Sequence, residues 1–235
     1  MSKSVVENLP PKERQFFRPA VINESIKEGY LNDLAYVFYP YGEKVPKIET
    51  EEDLNKHISV YYKEYLLPHK EKLQRRARKG KNNWWKLSEH RAWQRARFPK
   101  LVSTFFGKAG YFAWDSTGDF VVVQGHRWNP KSLKYEEAFY EGIGLAYLAV
   151  LCSSLIDDLL AYVSNSLGGG QWDLSQKGIQ DMPLPDLFNK TVDQEVLGSL
   201  IQIGTLISQG GKYDKNALDQ LAARLYRLPE NTVLG

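Results

Sequence analysis

Cysteine is almost absent from this chain of 235 residues. The single Cys152 cannot form an intramolecular disulfide, and its isolation excludes zinc sites built from several cysteines. Long apolar runs are also missing, because the longest mostly apolar stretch, 143–156, is shorter than the ~20 residues that span a bilayer. The N-terminus carries no basic-then-apolar signal sequence. We therefore expect a soluble, cytoplasmic protein without a membrane partner.

The sequence motifs of common enzymes are missing as well. The chain has no GxGxxG or GxxxxGK[ST] phosphate loop and no GxSxG nucleophile elbow. Its four histidines are scattered, and none belongs to a HExxH zinc motif. Asp157 and Asp158 are neighbours on a predicted helix, so their carboxylates point in different directions. We predict no catalytic, cofactor-binding or metal-binding residue, and a nuclease or hydrolase has little support.

Positive charge is concentrated in one stretch of the chain. Residues 70–100 hold twelve Lys/Arg and two Asp/Glu, a net charge of +10, whereas residues 1–69 and 101–235 have net charges of −2 and −5. Because like charges repel one another, such a concentration favours an anionic partner. We interpret the stretch as a nucleic-acid interface. The alternative is a solvated basic helix that binds nothing.

Three tryptophans, Trp84, Trp85 and Trp93, lie among these cations. Tryptophan can stack on a nucleobase or anchor a segment in a hydrophobic core, and core packing is the more frequent role. If the segment is extended, alternation of side chains predicts that one ring of the Trp84–Trp85 pair points inward and the other outward.

Residue patterning predicts a mixed α+β fold. Residues 35–41 and short runs between 100 and 128 are rich in aromatic and β-branched residues and are separated by turn residues, which is typical of strands. Helical spacing recurs elsewhere. The predicted helices are 51–65, 69–79, 145–167, 192–208 and 214–228.

The same patterns predict how the chain is organised. We expect residues 1–15 to be a flexible lead-in. A strongly twisted, β-rich DNA-recognition part is expected over 16–140, and a helical, bundle-like supporting part over 141–235, as one continuous module.

Several phrases follow one another in a recognisable order. They are residues 36–41, 65–73, 84–87 with Arg91 behind them, 98–102, 112–115, 147–155, 168–170, 182–185 and 218–228. In this order, over roughly residues 16–228, the chain resembles the C-terminal target recognition domain of TaqI-like adenine-specific DNA methyltransferases. That domain also occurs in fused type II restriction–modification enzymes.

The resemblance implies a DNA-reading module without the catalytic half of such an enzyme. The family's methyl-transfer motif is Asx-Pro-Pro-aromatic, and the nearest phrase here, Asn-Leu-Pro-Pro-Lys at residues 8–12, does not match it. The Gly-rich S-adenosylmethionine loop is missing too, so that cofactor is expected only on a separate catalytic domain. The expected partners are double-stranded DNA and a methyltransferase catalytic domain or subunit. Whether the chain is part of a larger enzyme or a separate specificity subunit stays open.

We predict the DNA contacts from charge and loop position, because this family varies its reading residues between members. The residues expected at phosphates are Arg75, Arg76, Arg78, Lys79 and Lys81. The further DNA-binding candidates are Arg91, Arg95, Arg97 and Lys108, with Trp85 for stacking and His126 and Arg127 at the end of the strand region.

Two other functions stay open at this point. A protein-interaction or assembly module of a restriction–modification complex would present the apolar faces of the helix at 145–163 and of the C-terminal pair to a catalytic subunit. A single-stranded nucleic-acid-binding protein would use the same tryptophans to stack on bases.

Overall fold

The computed structural model describes residues 1–42, 44–76, 83–88, 90–128, 141–189 and 191–229. The helices α1 to α10 are Lys3–Glu7, Pro11–Arg14, Glu51–His57, Ser59–Tyr61, Lys70–Gln74, Glu141–Cys152, Leu155–Val163, Gln176–Ile179, Gln194–Ser208 and Lys215–Leu225. The strands β1 to β10 are Phe17–Val21, Ile26–Lys27, Tyr30–Leu31, Ala35–Phe38, Lys100–Ser103, Phe106–Gly107, Phe112–Asp115, Val121–Val122, His126–Trp128 and Trp172–Asp173. Helices and small sheets both contribute, which confirms the α+β class.

The chain divides into two compact units. Unit 1 comprises Met1–Ala20 and Asp33–Arg97, and unit 2 comprises Val21–Asn32 and Phe98–Gly235. This division differs from the expected boundary between residues 140 and 141. The strands after residue 100 share a core with the C-terminal helices, because Trp114 of β7 and Leu148 of α6 belong to the same buried cluster.

The N-terminal residues are helical, which differs from the expected flexible lead-in over 1–15. Helices α1 and α2 occupy this region, and Val6 and Leu9 are buried in the core of unit 1. Glu13 is fully buried, and its carboxylate accepts hydrogen bonds from the backbone N–H groups of Val60 (3.0 Å) and Tyr61 (2.9 Å). Those donors lie more than forty residues away along the chain, so local composition does not reveal them.

The core of unit 1 is aromatic. Strands β1 and β4 pair antiparallel with Phe17 opposite Phe38, and both rings contact Tyr61, at centroid distances of 4.7 and 5.3 Å. Helix α3 begins where the sequence predicts, because Thr50 and Asp53 form a reciprocal capping box at its first turn. The helix then turns Leu54 into this core.

Unit 2 is built from a three-stranded sheet covered by helices. Strand β5 lies between β7 and β9, so that Leu101 is opposite Trp114 on one side and Trp128 on the other. Helix α9 crosses close to α6 at Gly204, where a Cβ atom would lie 1.9 Å from the carbonyl oxygen of Leu145. Only glycine permits this approach of the two helices.

The helix predicted over 145–167 is broken in the structure. Helix α6 ends at Cys152 and α7 begins at Leu155, and their axes are bent by 75°. The side chain of Tyr162 on α7 is 90% exposed, although helical spacing from Leu145 through Leu148 and Leu155 would place it on the apolar face. Among the described helices none is long and apolar enough by itself to cross a membrane, and α6 with α7 meets that criterion only as a bent pair.

The C-terminal helix pair is confirmed close to its predicted bounds. Asp193 and Asp214 cap α9 and α10, since each carboxylate accepts a hydrogen bond from a first-turn N–H at 2.9 Å. Aspartate before an apolar periodic segment is a start signal that a sequence displays directly, which explains the agreement.

The buried ion pair of unit 2 yields a prediction about stability. Lys100 Nζ and Asp115 Oδ2 lie 2.5 Å apart, on side chains that are 3% and 1% exposed. We expect Asp115→Asn to lower the free energy of unfolding by ~3–5 kcal/mol, because it leaves a buried ammonium without its counter-charge. Urea unfolding followed by circular dichroism measures the change.

The control for this prediction removes both charges. The Lys100→Met/Asp115→Asn double variant leaves no buried charge, so its loss should be smaller than that of Asp115→Asn alone. A single variant that unfolds at the wild-type urea concentration would contradict the expected role of the pair.

Candidate nucleic-acid interface

Arg76, predicted to contact phosphate, is largely engaged within unit 1. Its Nε donates to the carbonyl of Leu73 (3.1 Å), and its Nη1 donates to the Ser88 hydroxyl (3.2 Å). Its Nη2 donates to two carbonyls, that of Trp84 and that of Lys86, the latter at 2.9 Å. A guanidinium has five N–H groups, so one remains for a further acceptor. Arg76 therefore chiefly positions the turn that follows the basic run.

Both tryptophans of that turn are buried, so the expected inward–outward split is wrong. Trp84 is 0% and Trp85 is 6% exposed, and their rings meet edge to face at 5.7 Å. The alternation rule fails because residues 83–86 form a tight turn instead of an extended strand. Trp85 therefore belongs to the core of unit 1 and does not form an exposed stacking platform.

Tyr39 and Tyr41, which follow β4, contact Leu87 and His90 of the basic stretch. The Tyr39 hydroxyl shares a hydrogen bond of 2.9 Å with Nε2 of His90, and the His90 ring stacks on Tyr41 at 4.0 Å. The backbone N–H of Leu87 donates to the Tyr41 hydroxyl at 2.9 Å. Two aromatic side chains thus hold Leu87 and His90 in place.

Arg18 holds the same stretch further along. This arginine is 5% exposed, its Nη1 donates to the carbonyl of Gln94 at 2.5 Å, and its guanidinium lies 4.7 Å from the ring centre of Tyr39. Burial raises the pKa of Tyr39, while the nearby charges of Arg18 and Arg95 act in the opposite direction. The positive charges therefore reach the tyrosine hydroxyl at the end of β4.

A cavity of about 250 Å³ opens at this point of unit 1. We call it the basic pocket, and its cationic lining residues are Arg18, Lys44, Arg95 and Arg97. Tyr39 and Gln15 add polar side chains, and none of the described residues that line it is acidic. Guanidinium groups bind phosphate and carboxylate oxygens through paired hydrogen bonds, so the lining suits an anion.

The sequence predicts two residues of the basic pocket and misses two. Arg95 and Arg97 belong to the predicted stretch and are exposed. Arg18 and Lys44 lie outside it, in the region 1–69 whose net charge is negative, and the pairing of β1 with β4 places Arg18 beside the strand that leads to Lys44. No local charge signal identifies them.

The other predicted residues of the stretch are placed differently. Arg75 is exposed and lies 3.9 Å from the Glu71 carboxylate, an exposed pair of the kind that contributes ~0–1 kcal/mol. Its guanidinium can therefore still bind a phosphate. Arg91 is half-buried and precedes the short 3₁₀ turn Ala92–Gln94. Arg78, Lys79 and Lys81 lie outside the described residues.

Unit 2 has its own group of predicted residues. His126 and Arg127 lie on β9, opposite Ser103 and Val102 of β5, and both line a groove of about 420 Å³. We call it the unit 2 groove, and it is also lined by Trp128, Gln176, Gln180 and Met182. Lys108 is exposed in the turn between β6 and β7 and is not among the residues that line it.

The two glutamines of the unit 2 groove escaped the sequence analysis. Gln176 opens α8 and Gln180 follows its last residue, so they are spaced i, i+4 and lie on one face. This i, i+4 spacing is the sequence signal that could have identified the pair. Arginine and glutamine are side chains that read base edges through two hydrogen bonds, which gives the groove a chemistry suited to that task.

Comparisons with known proteins add no family. No protein-family model matches the chain, and no curated protein sequence matches it. Within the described residues, no three side chains of the His, Cys, Asp or Glu type come together as metal ligands. The DNA contacts and the resemblance stay predictions.

Lys70, the first cation of the stretch, yields a prediction about pH. Its ammonium donates to both carboxylate oxygens of Glu51, at 2.6 and 2.9 Å, and Tyr62 donates to the same group. These hydrogen bonds lower the pKa of Glu51 below its ordinary 4.5. The stabilisation is therefore complete above pH 4.5 and is lost as the pH falls through the lowered pKa. We expect Glu51→Gln to lower the free energy of unfolding by ~0.2–1 kcal/mol at neutral pH, with no difference left in acid.

Urea unfolding at neutral and acidic pH measures this effect. Glu52→Gln is the matched control, because Glu52 is exposed in the same helical turn and makes no hydrogen bond or ion pair among the described residues. A Glu51→Gln deficit of equal size at every pH would show that the Lys70 pair does not cause it.

Proposed function

We propose that the chain binds duplex DNA sequence-specifically, as the target recognition domain of an adenine-specific DNA methyltransferase without its own catalytic domain. The basic pocket is the observation that carries the proposal. Four cationic side chains line one cavity, with no carboxylate among its described lining residues. Phosphate is the anion that duplex DNA presents along its whole length, one charge per ~1.7 Å of axis.

Arg95 and Arg97 supply the phosphate contacts in this proposal. Both are exposed at the pocket, and the backbone beside them is held by the bond from Arg18 to Gln94. A positioned guanidinium loses less side-chain freedom when it binds, so its fork can meet phosphate oxygens in a defined direction. Such contacts set the register of the protein on the DNA but do not by themselves read sequence.

Sequence reading is assigned to the unit 2 groove. Arg127 can donate two hydrogen bonds to guanine, and Gln176 or Gln180 can pair with the edge of adenine. Deformation of the bound duplex adds specificity at positions that no side chain touches. A partner catalytic domain would then flip an adenine of the bound site and methylate it with S-adenosylmethionine, and the cytoplasm is the compartment proposed for this step.

The first test is the salt dependence of DNA binding. We expect the logarithm of the affinity for a duplex to fall linearly with the logarithm of the salt concentration, with a slope of about −0.9 per phosphate contact. Removing Arg95 and Arg97 in an Arg95→Ala/Arg97→Ala variant should weaken binding at least tenfold, because each charged hydrogen bond contributes ~1.5–3 kcal/mol. Fluorescence anisotropy with a labelled duplex measures both quantities.

Lys56→Ala is the control for the loss of a cation elsewhere in unit 1. Lys56 is an exposed cation of α3 in unit 1 and is not among the residues that line the basic pocket. This variant should bind nearly as the wild type does. A flat salt response of the wild type, or equal losses in both variants, would count against the proposal.

The second test concerns the missing catalytic half. The sequence has no Gly-rich cofactor loop and no Asx-Pro-Pro-aromatic motif. We expect the isolated chain to show no heat of S-adenosylmethionine binding in calorimetry and no methyl transfer to duplex DNA. Measurable cofactor binding would mean that the chain is more than a recognition domain.

A further inference from the structure

A second cavity of unit 1 has no part in the proposed duplex contacts. It has a volume of about 500 Å³, within the ~300–1,000 Å³ of typical ligand pockets. We call it the aromatic pocket, because Tyr36, Phe38, Tyr61, Tyr65 and Trp85 line it. Sequence reasoning placed Trp85 at an interface, and the structure makes it one wall of this cavity instead.

The inner wall of the aromatic pocket is fixed by packing. Phe38, Tyr61 and Trp85 are 6%, 7% and 6% exposed, and the Phe38 and Tyr61 ring centres lie 5.3 Å apart. The backbone N–H of Tyr61 is also bound by the buried Glu13 carboxylate. A ligand would therefore meet a preformed surface, with little side-chain freedom left to lose.

Tyr65 differs from the other rings because it is 37% exposed. It stacks on Tyr61 at 5.9 Å with an angle of 18° between the ring planes. One side of Tyr65 is thus occupied, and the exposed part of the ring can take another flat ring. Such a ring would extend an existing stack of two tyrosines.

The rim of the aromatic pocket is cationic. Lys72, Arg76 and Lys86 line it, and none of its described lining residues is acidic. Lys72 is exposed, and the hydrogen bonds that Arg76 makes to described residues use four of its five N–H groups. A cationic ligand of the kind that aromatic cages bind would be repelled by this rim. A flat ring that carries negative charge is attracted by it.

We propose that the aromatic pocket takes one unstacked nucleobase of a bound DNA strand. The base stacks on Tyr65, and the phosphates that flank it meet Lys72 and Arg76. The inference rests on the proposed function, since it needs a bound strand. It adds base stacking to the phosphate contacts. The affinity for DNA then depends on whether a base is paired, whereas phosphate contacts do not depend on base pairing.

The energetics make the proposal measurable. In a matched duplex every base is paired and stacked, so a base must be extruded before it can enter the pocket. A bulged base avoids most of that penalty. Stacking of a base on an aromatic side chain is sequence-tolerant and strong enough to give a ~10-fold preference for a strand that offers a free base.

The experiment compares two fluorescein-labelled duplexes of the same sequence, one of them with a single bulged adenine. We expect wild-type protein to bind the bulged duplex ~10-fold more tightly in an anisotropy titration. Tyr65→Ala should bind both duplexes with the affinity that the wild type has for the matched one. Tyr65→Phe keeps the ring and should keep the preference.

Two further variants complete the design. Lys72→Ala should weaken binding of the bulged duplex more than binding of the matched duplex. Tyr162→Ala is the matched control, because it removes a 90% exposed tyrosine from α7 in unit 2 and should change neither affinity. Thermal melting of each variant reports whether it is folded, and Tyr65→Ala removes a partly exposed ring, so no closed cavity is left behind.

The outcomes separate this inference from the proposed function. Equal affinity of the wild type for both duplexes, or a preference that survives Tyr65→Ala, overturns the inference while duplex binding stands. Absence of binding to either duplex overturns both. A bulge preference that Tyr65→Ala abolishes and Tyr65→Phe retains supports a base in the pocket.

Discussion

Backbone groups that an irregular segment carries into a core need hydrogen-bond partners outside any helix or sheet, and arginine side chains of unit 1 meet that requirement. The described residues between 83 and 97 contain no α-helix or strand, although they carry Trp84 and Trp85 into the core. Long cationic side chains reach their carbonyl groups: Arg76 binds two of them and Arg18 binds a third. Part of the positive charge is therefore structural, and it orders the segment that presents the remainder.

This arrangement sorts the cations of the basic stretch into two groups. Lys70, Arg76 and Lys100 are bound by acceptors within the protein, at Glu51, at backbone carbonyls and at Asp115. The other group is defined by exposure and not by a lack of partners. Its members are Lys72, Arg75, Arg95 and Arg97. The net charge of the stretch thus overstates its exposed positive charge, and only Arg95 and Arg97 of its described arginines line the basic pocket.

Sequence reasoning worked where the signals are local. The C-terminal helices were predictable because their capping aspartates and apolar spacing lie within a few residues of one another. The break after α6 was not predictable, because side chains of α10 bind backbone groups that the break leaves without a helical partner. Lys215 Nζ donates to the carbonyl of Cys152 at 2.6 Å, and Asp219 accepts from the N–H of Ser154 at 2.7 Å. Such partners lie more than sixty residues away, so periodicity alone extends the helix through the break.

The candidate sites show the same limit. Charge clustering identified Arg95 and Arg97, but the basic pocket is completed by Arg18, which strand pairing brings to it from a different part of the chain. Hydrophobicity likewise indicated that tryptophans are usually buried, yet it could not say that Trp85 would border a cavity. What stays hidden in each case is a contact between distant segments.

Glu13 connects the N-terminal segment to the aromatic pocket. A carboxylate with no exposed surface would be unfavourable unless its charge were shared, and here two N–H groups at the start of α4 share it. Those groups belong to Val60 and Tyr61. Through Glu13, the first fifteen residues therefore bind the backbone of Tyr61, whose ring lines the aromatic pocket. Removal of the mostly polar first fifteen residues would take away the Glu13 carboxylate. It would thereby loosen the wall that Tyr61 forms in the aromatic pocket.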